Sequence, residues 1–546
     1  MAPPLLPPAP RFGSENDLPT PVSPSVLHDM LVGYDCDLHN YLVHGFSHGF
    51  GIGCFGLPPQ SEAQMCNLQS AEEFSGVIDA KIAKELASGR VLGPFDVSPS
   101  MPNYRVSPLG VVPKKTPGEF RMIHHLSHPE GSSVNDFIPK DMSSVHYATI
   151  QDAIDIIKDS PKPVYMAKVD IEAAFRIIPV SPADRPMLGF RWRGQYFMDA
   201  VLPMGCSSSC AIFERFSTAL EWIAKVKLGV TAMVHVIDDF LILSHSKEKC
   251  HQDLMAFIGL CERLGVPLAP SKTVGPSTTI PFLGIILDSV IQEARLPEDK
   301  IDKARALLLA FLGKRKVTLK ELQGLTGFLG FACSVIKPGR PFLRRLFDLS
   351  VGLRKPHFHV RLTNQVKLDL EVWLKFLHDF NGKSFFLDEK FLTGDYLQLY
   401  TDAAGGIGYG ALYGEEWFYG LWPVAWRSLN VTVLELYPIM AAVHVWGGSW
   451  SNKSVCFFTD NEALVPVINN QTSREPHIMA LLRPLVLACL CFNINFAARH
   501  IPGRFNTLAD MLSRSQVDKF RELAPWANLN PVEVPQCVSP ANLGTL

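Results

Sequence analysis

A chain of 546 residues is long enough for three or four domains. Its 47% hydrophobic and 19% charged residues exclude a wholly disordered or fibrous protein. The formal net charge of -2 hides an asymmetry, because between Lys300 and Pro356 thirteen Lys and Arg face only Asp302, Glu321 and Asp348. Such a block suggests a polyanion running past one part of the molecule. Twelve cysteines include no CxxC pair, which argues against a zinc ribbon or thioredoxin-type site and fits free thiols in a reducing compartment. The Met-Ala-Pro-Pro start lacks the basic and apolar regions of a secretory signal. The expectation is an intracellular protein, in cytoplasm or nucleus, and not a secreted one. The apolar stretch from Met479 is interrupted by Arg483, Pro484, Asn493 and Asn495; it reads as a buried helix followed by a strand, with no membrane span.

Eight prolines in the first 24 residues cannot build a packed core, so residues 1–69 are expected to be a largely disordered extension. Within it, His44, His48, Cys36 and Cys54 match no zinc spacing. Organised structure should begin with SAEEFSGVIDAKIAKELASGR, an amphipathic helix with a Ser70–Glu73 capping box and Gly89 at its exit. SPLGVVPKKTPGEFRMIHHLSHP reads as two strands around a turn, letting Lys114 and Arg121 reach one phosphate. VYMAKVD is a strand ending at Asp170, with Phe175 five residues on; RWRGQYFMDAV turns at Gly194; in LPMGCSSSC, Gly205 and the serines open a helix where backbone can approach a ligand.

VHVIDDFLIL reads as strand, tight turn, strand, with Asp238 and Asp239 at the tip. Asp is a favoured turn residue, so the pair alone needs no function. Asp170 changes the weighting, because three carboxylates converging at strand ends repel one another unless cations lie between them. Residues 247–264 follow as a helix, and LGVPLAPSKTVGP leads to the strand PFLGIILD. PEDKIDKARALLLAFLG and TLKELQGLTGFLGFA are helices, the second capped by Thr318 and Glu321, with Lys314, Arg315, Lys316, Arg340, Arg344 and Arg345 at or beyond helix ends. From Tyr396 the pattern changes to glycine-separated strands, the first closed by Asp402. VTVLELYPIMAAVHVWGGSW is a helix apolar almost all round with Glu435 embedded in it; a carboxylate there is costly unless paired, hydrated or bound to a cation. Asp460 follows another strand, and Asp510 lies ten residues after His500 on a loop entering a helix.

Asp170 with Phe175, the LPMG stretch, the IDD hairpin, Lys272 and FLG stand in the order used by the reverse-transcriptase palm. Lys114 and Arg121 have the seven-residue spacing of its fingers, and residues 70–350 resemble that family. The resemblance implies that Asp170, Asp238 and Asp239 bind metal, while Lys114, Arg121, Phe175, Met204 and Gly205 hold a deoxynucleoside triphosphate. It also implies that Lys272 protonates the leaving pyrophosphate, that Phe282, Leu283 and Gly284 grip the primer, and that the basic helices form a thumb on nucleic-acid phosphates. Val236 stands where retroviral enzymes have Tyr and Met204 where they have Gln, so base-stacking and fidelity contacts do not transfer.

Asp402, Glu435, Asp460 and Asp510 resemble the four-carboxylate set of ribonuclease H, which holds two metal ions. His500 has the offset of that family's mobile histidine, but HIPG also fits a shortened loop, and no catalytic role is assigned to it. The implied fold class is α/β (α+β): a right-hand polymerase of fingers, palm and thumb followed by a ribonuclease H-like α/β domain. Its segments would be fingers and palm at 70–295, thumb at 296–350, a connection at 351–390, the ribonuclease H-like domain at 391–518 and a tail at 519–546. Implied cofactors are two Mg2+ per active site, with Mn2+ as substitute. Implied partners are an RNA template, a DNA primer, RNA/DNA hybrid and deoxynucleoside triphosphates. SPLGVVPKK, VIDDFLIL and HIPGRFNTLADMLSR most resemble DIRS-type retrotransposons, which implies a separately encoded tyrosine recombinase as a further partner. The alternative is a decayed or domesticated copy that binds nucleic acid or acts as a ribonuclease H only; its signature would be lost carboxylates, and all seven are present.

Overall fold

Burial along YMAKVD, AMVHV and DFLILS is nearly continuous rather than alternating, so these apolar runs form strands covered on both faces. In this computed structural model the residues described are 18–58, 66–114, 118–379, 383–385, 397, 399–451, 453–492, 494–503 and 506–543. The chain divides into two compact units, Met1–Leu283 with Leu287–Ile291, and Gly284–Ile286 with Gln292–Leu546. The expected boundary at 295 lies close to this division, and those at 350 and 390 lie inside the second unit.

The first unit is built on an antiparallel sheet in the order Ala232–Val236, Asp239–Ser244, Tyr165–Asp170, Val274–Ser277. Helices Ser209–Trp222 and Lys247–Leu264 contribute Phe213, Phe216, Leu220, Phe257 and Leu260 to its core. A hairpin of Leu109–Pro113 and Phe120–His124 stands apart from this sheet, in a smaller core with Ile78, Ile82 and Phe190.

The expectation of disorder over residues 1–69 is corrected from residue 18 onward; residues 1–17 and 59–65 lie outside the described residues. Helices Pro24–Met30 and Cys36–His48 place Leu27, Leu31, Leu42 and Phe46 in the same core as the palm-like sheet. Phe46 meets Phe216 edge-on at 4.8 Å, and Phe50 pairs with Val180 through its backbone. Proline content misled here because the apolar residues that decide burial lie after the proline-rich start.

Three local expectations also change. The helix from Ser70 is two pieces, Gln69–Glu73 and Ser75–Ala87. Its capping box does not form, since the Ser70 hydroxyl accepts the Val111 N–H while Glu73 accepts from the Gln69 side chain. PFLGIILD is no single strand: the chain turns at Leu283 and Gly284, both at positive φ (47° and 77°), and the Gly284 carbonyl accepts from Lys300 Nζ at 2.7 Å.

In the second unit, helices Glu298–Leu312 and Leu319–Ala332 form as expected, with both hydrogen bonds of the Thr318–Glu321 capping box present. Three of the basic residues expected to face phosphate are engaged within this unit: Lys314 with Glu321, Arg344 with Asp348, and Arg345 with the buried Asp369. Further on, Leu399–Ala404, Gly408–Tyr413 and Glu416–Leu421 make an antiparallel meander, and Ser454–Thr459 pairs in parallel with Asn495–His500. By length and composition alone, Val431–Trp450 is apolar enough to cross a membrane, but most of it is buried within this unit, with Trp422, Trp426 and helix Pro476–Cys491 in the same core.

Phe46→Ala should lower the stability of the first unit by about 3–5 kcal/mol, the usual cost of emptying a large aromatic site. Urea unfolding followed by tryptophan fluorescence measures it; a change below about 0.5 kcal/mol, the ordinary surface range, would mean the N-terminal helices are not part of that core.

Candidate active sites

Antiparallel pairing of the two central strands in the first unit sets Asp170 opposite Asp239. The connecting turn of the neighbouring hairpin consists of Ile237 and Asp238, so all three carboxylates meet at one sheet end. Ile237 has φ 56°, a left-handed conformation that costs a non-glycine residue about 1–2 kcal/mol. The helix Ser209–Trp222 offsets that strain at both ends of the residue: Glu214 Oε2 accepts the Ile237 N–H at 3.1 Å, and the Ser217 hydroxyl donates to the Ile237 carbonyl at 2.7 Å.

Charge crowding shows in the acidities. Burial, together with Asp170 and Asp239, pushes the Asp238 carboxyl up to about 6. Burial likewise raises Asp170, with Asp239 adding to the rise and Lys272 opposing it. Lys272 Nζ lies 2.8 and 2.9 Å from the two oxygens of Asp170, and Lys168 Nζ lies 3.0 Å from Asp239. Three gathered carboxylates, with Asp170 and Asp238 holding their protons more tightly than usual and two ammonium groups drawn onto Asp170 and Asp239, form a site short of positive charge. Its donors are all hard oxygens, the set that suits Mg2+ or Mn2+.

Lys114, Arg121 and Met204 line a cavity of about 360 Å³ with Lys81, Lys84, Arg176 and Asp199. Gly205 sits at φ 124°, where a Cβ would overlap the His124 carbonyl oxygen, so glycine is required there. Phe175 is in a single helical turn, Ala174–Ile177, with its ring edge-on to Phe213 at 5.6 Å. Of the expected primer contacts, Phe282 is buried, and Leu283 and Gly284 form the turn described above.

Sequence reasoning missed the ionic core behind that cavity. Buried Arg176 reaches Glu85 at 2.9 Å and Asp199 at 2.7 Å, while His124 Nδ1 lies 3.1 Å from the other oxygen of Asp199. Burial opposes ionisation of Asp199, but Arg176 and His124 outweigh it and hold the carboxyl below its usual range. The available signal was Arg176 in the middle of AAFRIIPV, as anomalous as Glu435 in its own apolar run.

In the second unit Asp402 lies within strand Leu399–Ala404 rather than closing it. Asp402, Glu435 and Asp460 each offer an oxygen within 4.8 Å of the others. Asp402 pairs across the strands with Gly410, where a side chain would collide with Leu512. That missing Cβ lets helix Thr507–Ser513 lie close on the strand, and the Ser513 hydroxyl donates to Asp402 at 2.5 Å. Asp510 is on this helix, not on a loop before it, and pairs with Arg514 at 2.8 Å. It acts on Asp402 and Glu435 through its charge but is not in the tight trio. His500 is exposed at the end of its strand. Burial, with Asp402 and Asp460 beside it, lifts the Glu435 carboxyl to about 9; burial lifts Asp402 to about 6 despite Ser513. These donors too are hard oxygens in a site whose negative charge is poorly compensated.

Residues 112–287 match the family model described as reverse transcriptase (RNA-dependent DNA polymerase). This stretch is similar to the reverse transcriptase domains of that family. Over 329 residues the chain is 25% identical to the Gag-Pro-Pol polyprotein of sheep pulmonary adenomatosis virus, an alignment covering 56% of this chain and 17% of that one. It is 24% identical over 186 residues to the Pro-Pol polyprotein of feline foamy virus, covering 34% and 15% respectively. The chain thus spans under a fifth of the length of these two curated relatives. Among solved structures, a foamy viral protease–reverse transcriptase in complex with RNA/DNA hybrid aligns with TM-score 0.49 and 14% identity, over 87% of this chain and 62% of that one.

Native Glu435 holds its proton up to about pH 9, whereas the unfolded carboxyl releases it near 4.5. The native state therefore binds more protons across that window, and the stability this group contributes falls as pH rises through it. Asp402, Asp460 and Asp510 are the other titratable groups acting on it. The melting temperature of metal-free protein should therefore drop on going from pH 5 to pH 8.5, Mn2+ should restore it at the higher pH, and Glu435→Gln should flatten both responses. Calorimetry showing identical pH and Mn2+ responses in Glu435→Gln would sink this assignment.

Proposed function

We propose that this chain is an RNA-directed DNA polymerase of a retroelement, extending a DNA primer at Asp170, Asp238 and Asp239 and cutting the RNA strand of RNA/DNA hybrids at Asp402, Glu435, Asp460 and Asp510. The observation that carries the reading is the pairing of Asp170 with Asp239 beside the Asp238 turn, inside the stretch that matches the polymerase family. Bound Mg2+ or Mn2+ supplies charge neutralisation for attacking and leaving oxygens at each site. The chain's own residues do the rest. Lys114 and Arg121 hold the triphosphate of a deoxynucleotide in the cavity they line. Phe175, stiffened against Phe213, walls the sugar so that a 2'-hydroxyl is crowded out. Lys272 keeps a proton at Nζ, its acidity weakened further by the hydrogen bond to Asp170, and is the group available to the departing pyrophosphate. At the second site, Ser513 orients Asp402, and embedded Glu435 keeps a carboxyl where its own core excludes water.

The finer affiliation proposed is with DIRS-type retrotransposons working alongside a separately encoded tyrosine recombinase, in the cytoplasm or nucleus. The competing reading, a copy retained only for binding nucleic acid or for its nuclease, is disfavoured by all seven carboxylates being present and six of them gathered into two trios, with Asp510 acting on the second through its charge.

Primer extension on poly(rA) with oligo(dT) should proceed with Mg2+ and stop without it. Asp238→Asn with Asp239→Asn should abolish synthesis while leaving hybrid cleavage, and Asp460→Asn should do the reverse. Loss of both activities from either change in a folded protein would refute two separate sites. The Phe175→Ala variant should incorporate ribonucleotides at least about tenfold more readily, a loss of roughly 1.4 kcal/mol of discrimination; unchanged discrimination between UTP and dTTP would remove the wall.

A further inference from the structure

Three groups that neither the motifs nor the family resemblance single out lie behind the catalytic turn. His235 is on the strand leading into it, and its ring is stacked on Phe240 at 5.3 Å, the residue after Asp239. Its Nε2 lies 3.2 Å from Glu214 Oε1, and its Nδ1 is in ion-pair contact with Glu221. Glu214 and Glu221 are nearly two turns apart on the helix Ser209–Trp222, so a single imidazole ring bridges two carboxylates of one helix face. Both His235 and Glu214 are buried, at 7% and 9% exposure. Burial disfavours the imidazolium, but the two carboxylates more than offset it and raise His235 to about 9. The two flanking carboxylates therefore favour the imidazolium form of the ring.

The same Glu214 carboxylate spends its second oxygen on the Ile237 N–H, and Ser217, three residues along, holds the Ile237 carbonyl. Ile237 is the turn residue held at positive φ, and Asp238 follows it directly. We propose that Glu214 and His235 are positioning residues for the polymerase reaction: the ionic clamp fixes one face of the helix, and that face fixes the Ile237 peptide units and thereby the direction of the Asp238 carboxylate. This rests on the polymerase reading above and adds to it residues that touch neither substrate nor metal. The arrangement explains why a β-branched residue is tolerated at φ 56°, since both of its peptide groups are tied down from one side. It also assigns a task to a buried charge trio that core packing alone would not call for.

The test separates alignment from folding. In Glu214→Leu, the rate constant for single-nucleotide incorporation should fall at least about tenfold while KM for the deoxynucleotide changes less than about twofold, as expected when a catalytic group is displaced by a fraction of an ångström. The burst amplitude, which counts folded productive sites, should stay near that of the unaltered protein. Glu214→Gln, which keeps an acceptor oxygen for the Ile237 N–H, should recover most of the rate. Ser217→Ala, a far smaller change to the core, should show the same rate-selective loss in milder form. Loss confined to burst amplitude, or a Glu214→Gln variant as slow as Glu214→Leu, would overturn the proposal. A second readout does not need activity: Mn2+ binding followed by electron paramagnetic resonance in an Asp402→Asn, Glu435→Gln, Asp460→Asn background. Glu214→Leu should weaken it and Glu214→Gln restore it; equal affinity in all three proteins would overturn the clamp. Unaltered protein that binds Mn2+ but extends no primer would instead refute the polymerase reading and leave the clamp standing on the binding data.

Discussion

Carboxylates that share a half-buried pocket repel one another and lose hydration at the same time, and both units are organised around that penalty. In the first, Asp170 and Asp239 face each other across a strand pair and Asp238 sits in the adjoining turn, while Lys272 and Lys168 are drawn onto two of the three. In the second, Glu435 is embedded in an apolar helix and its proton is held far above the usual carboxylate range. A fold keeps such groups only by over-determining where they stand. Each cluster is accordingly backed by rigid elements: a four-stranded sheet with a helix tied to its turn in one case, a helix laid on a meander through Gly410 in the other.

The supports differ in kind. Around the palm-like sheet they are ionic: Arg176 joins Glu85 to Asp199 behind the cavity lined by Lys114 and Arg121, and His235 joins Glu214 to Glu221 behind the turn. Breaking a buried pair from one side leaves the other charge stranded, so such supports resist piecemeal change more than they add to overall stability. In the second unit the supports are steric and hydrogen-bonded. Gly410 has no side chain where Leu512 approaches, and Ser513 reaches Asp402 as a consequence.

Much of this was readable in the amino-acid sequence because it is local. Hairpin turns, the Thr318–Glu321 cap and the strand-then-aspartate pattern are written in residues close together along the chain, and the ordered motif set ties them to a family. What stayed hidden depends on pairing at long range. Glu85, His124, Arg176 and Asp199 come from four separated segments, and no spacing rule connects them. The Ser70 cap failed because a hydroxyl with local backbone to cap found a strand N–H at Val111 instead. Leu283 and Gly284 reversed a run that apolar composition alone reads as continuous. The proline-rich start was allowed to speak for the forty residues behind it, although Leu27, Leu42 and Phe46 carry the pattern of a buried surface.

Those forty residues also bear on where the first unit begins. The family match starts at residue 112, yet the Ser23 N–H bonds to the Leu264 carbonyl, Thr20 Oγ1 to the Ile177 carbonyl, and the Ile52 N–H to Asp184. A boundary drawn at the edge of recognisable motifs would slice through hydrophobic interior and bare one side of helix Ser209–Trp222. The smallest autonomous version of this unit is therefore larger than its diagnostic signature, and shortened expression plasmids designed from motif limits would yield insoluble material for reasons unrelated to chemistry.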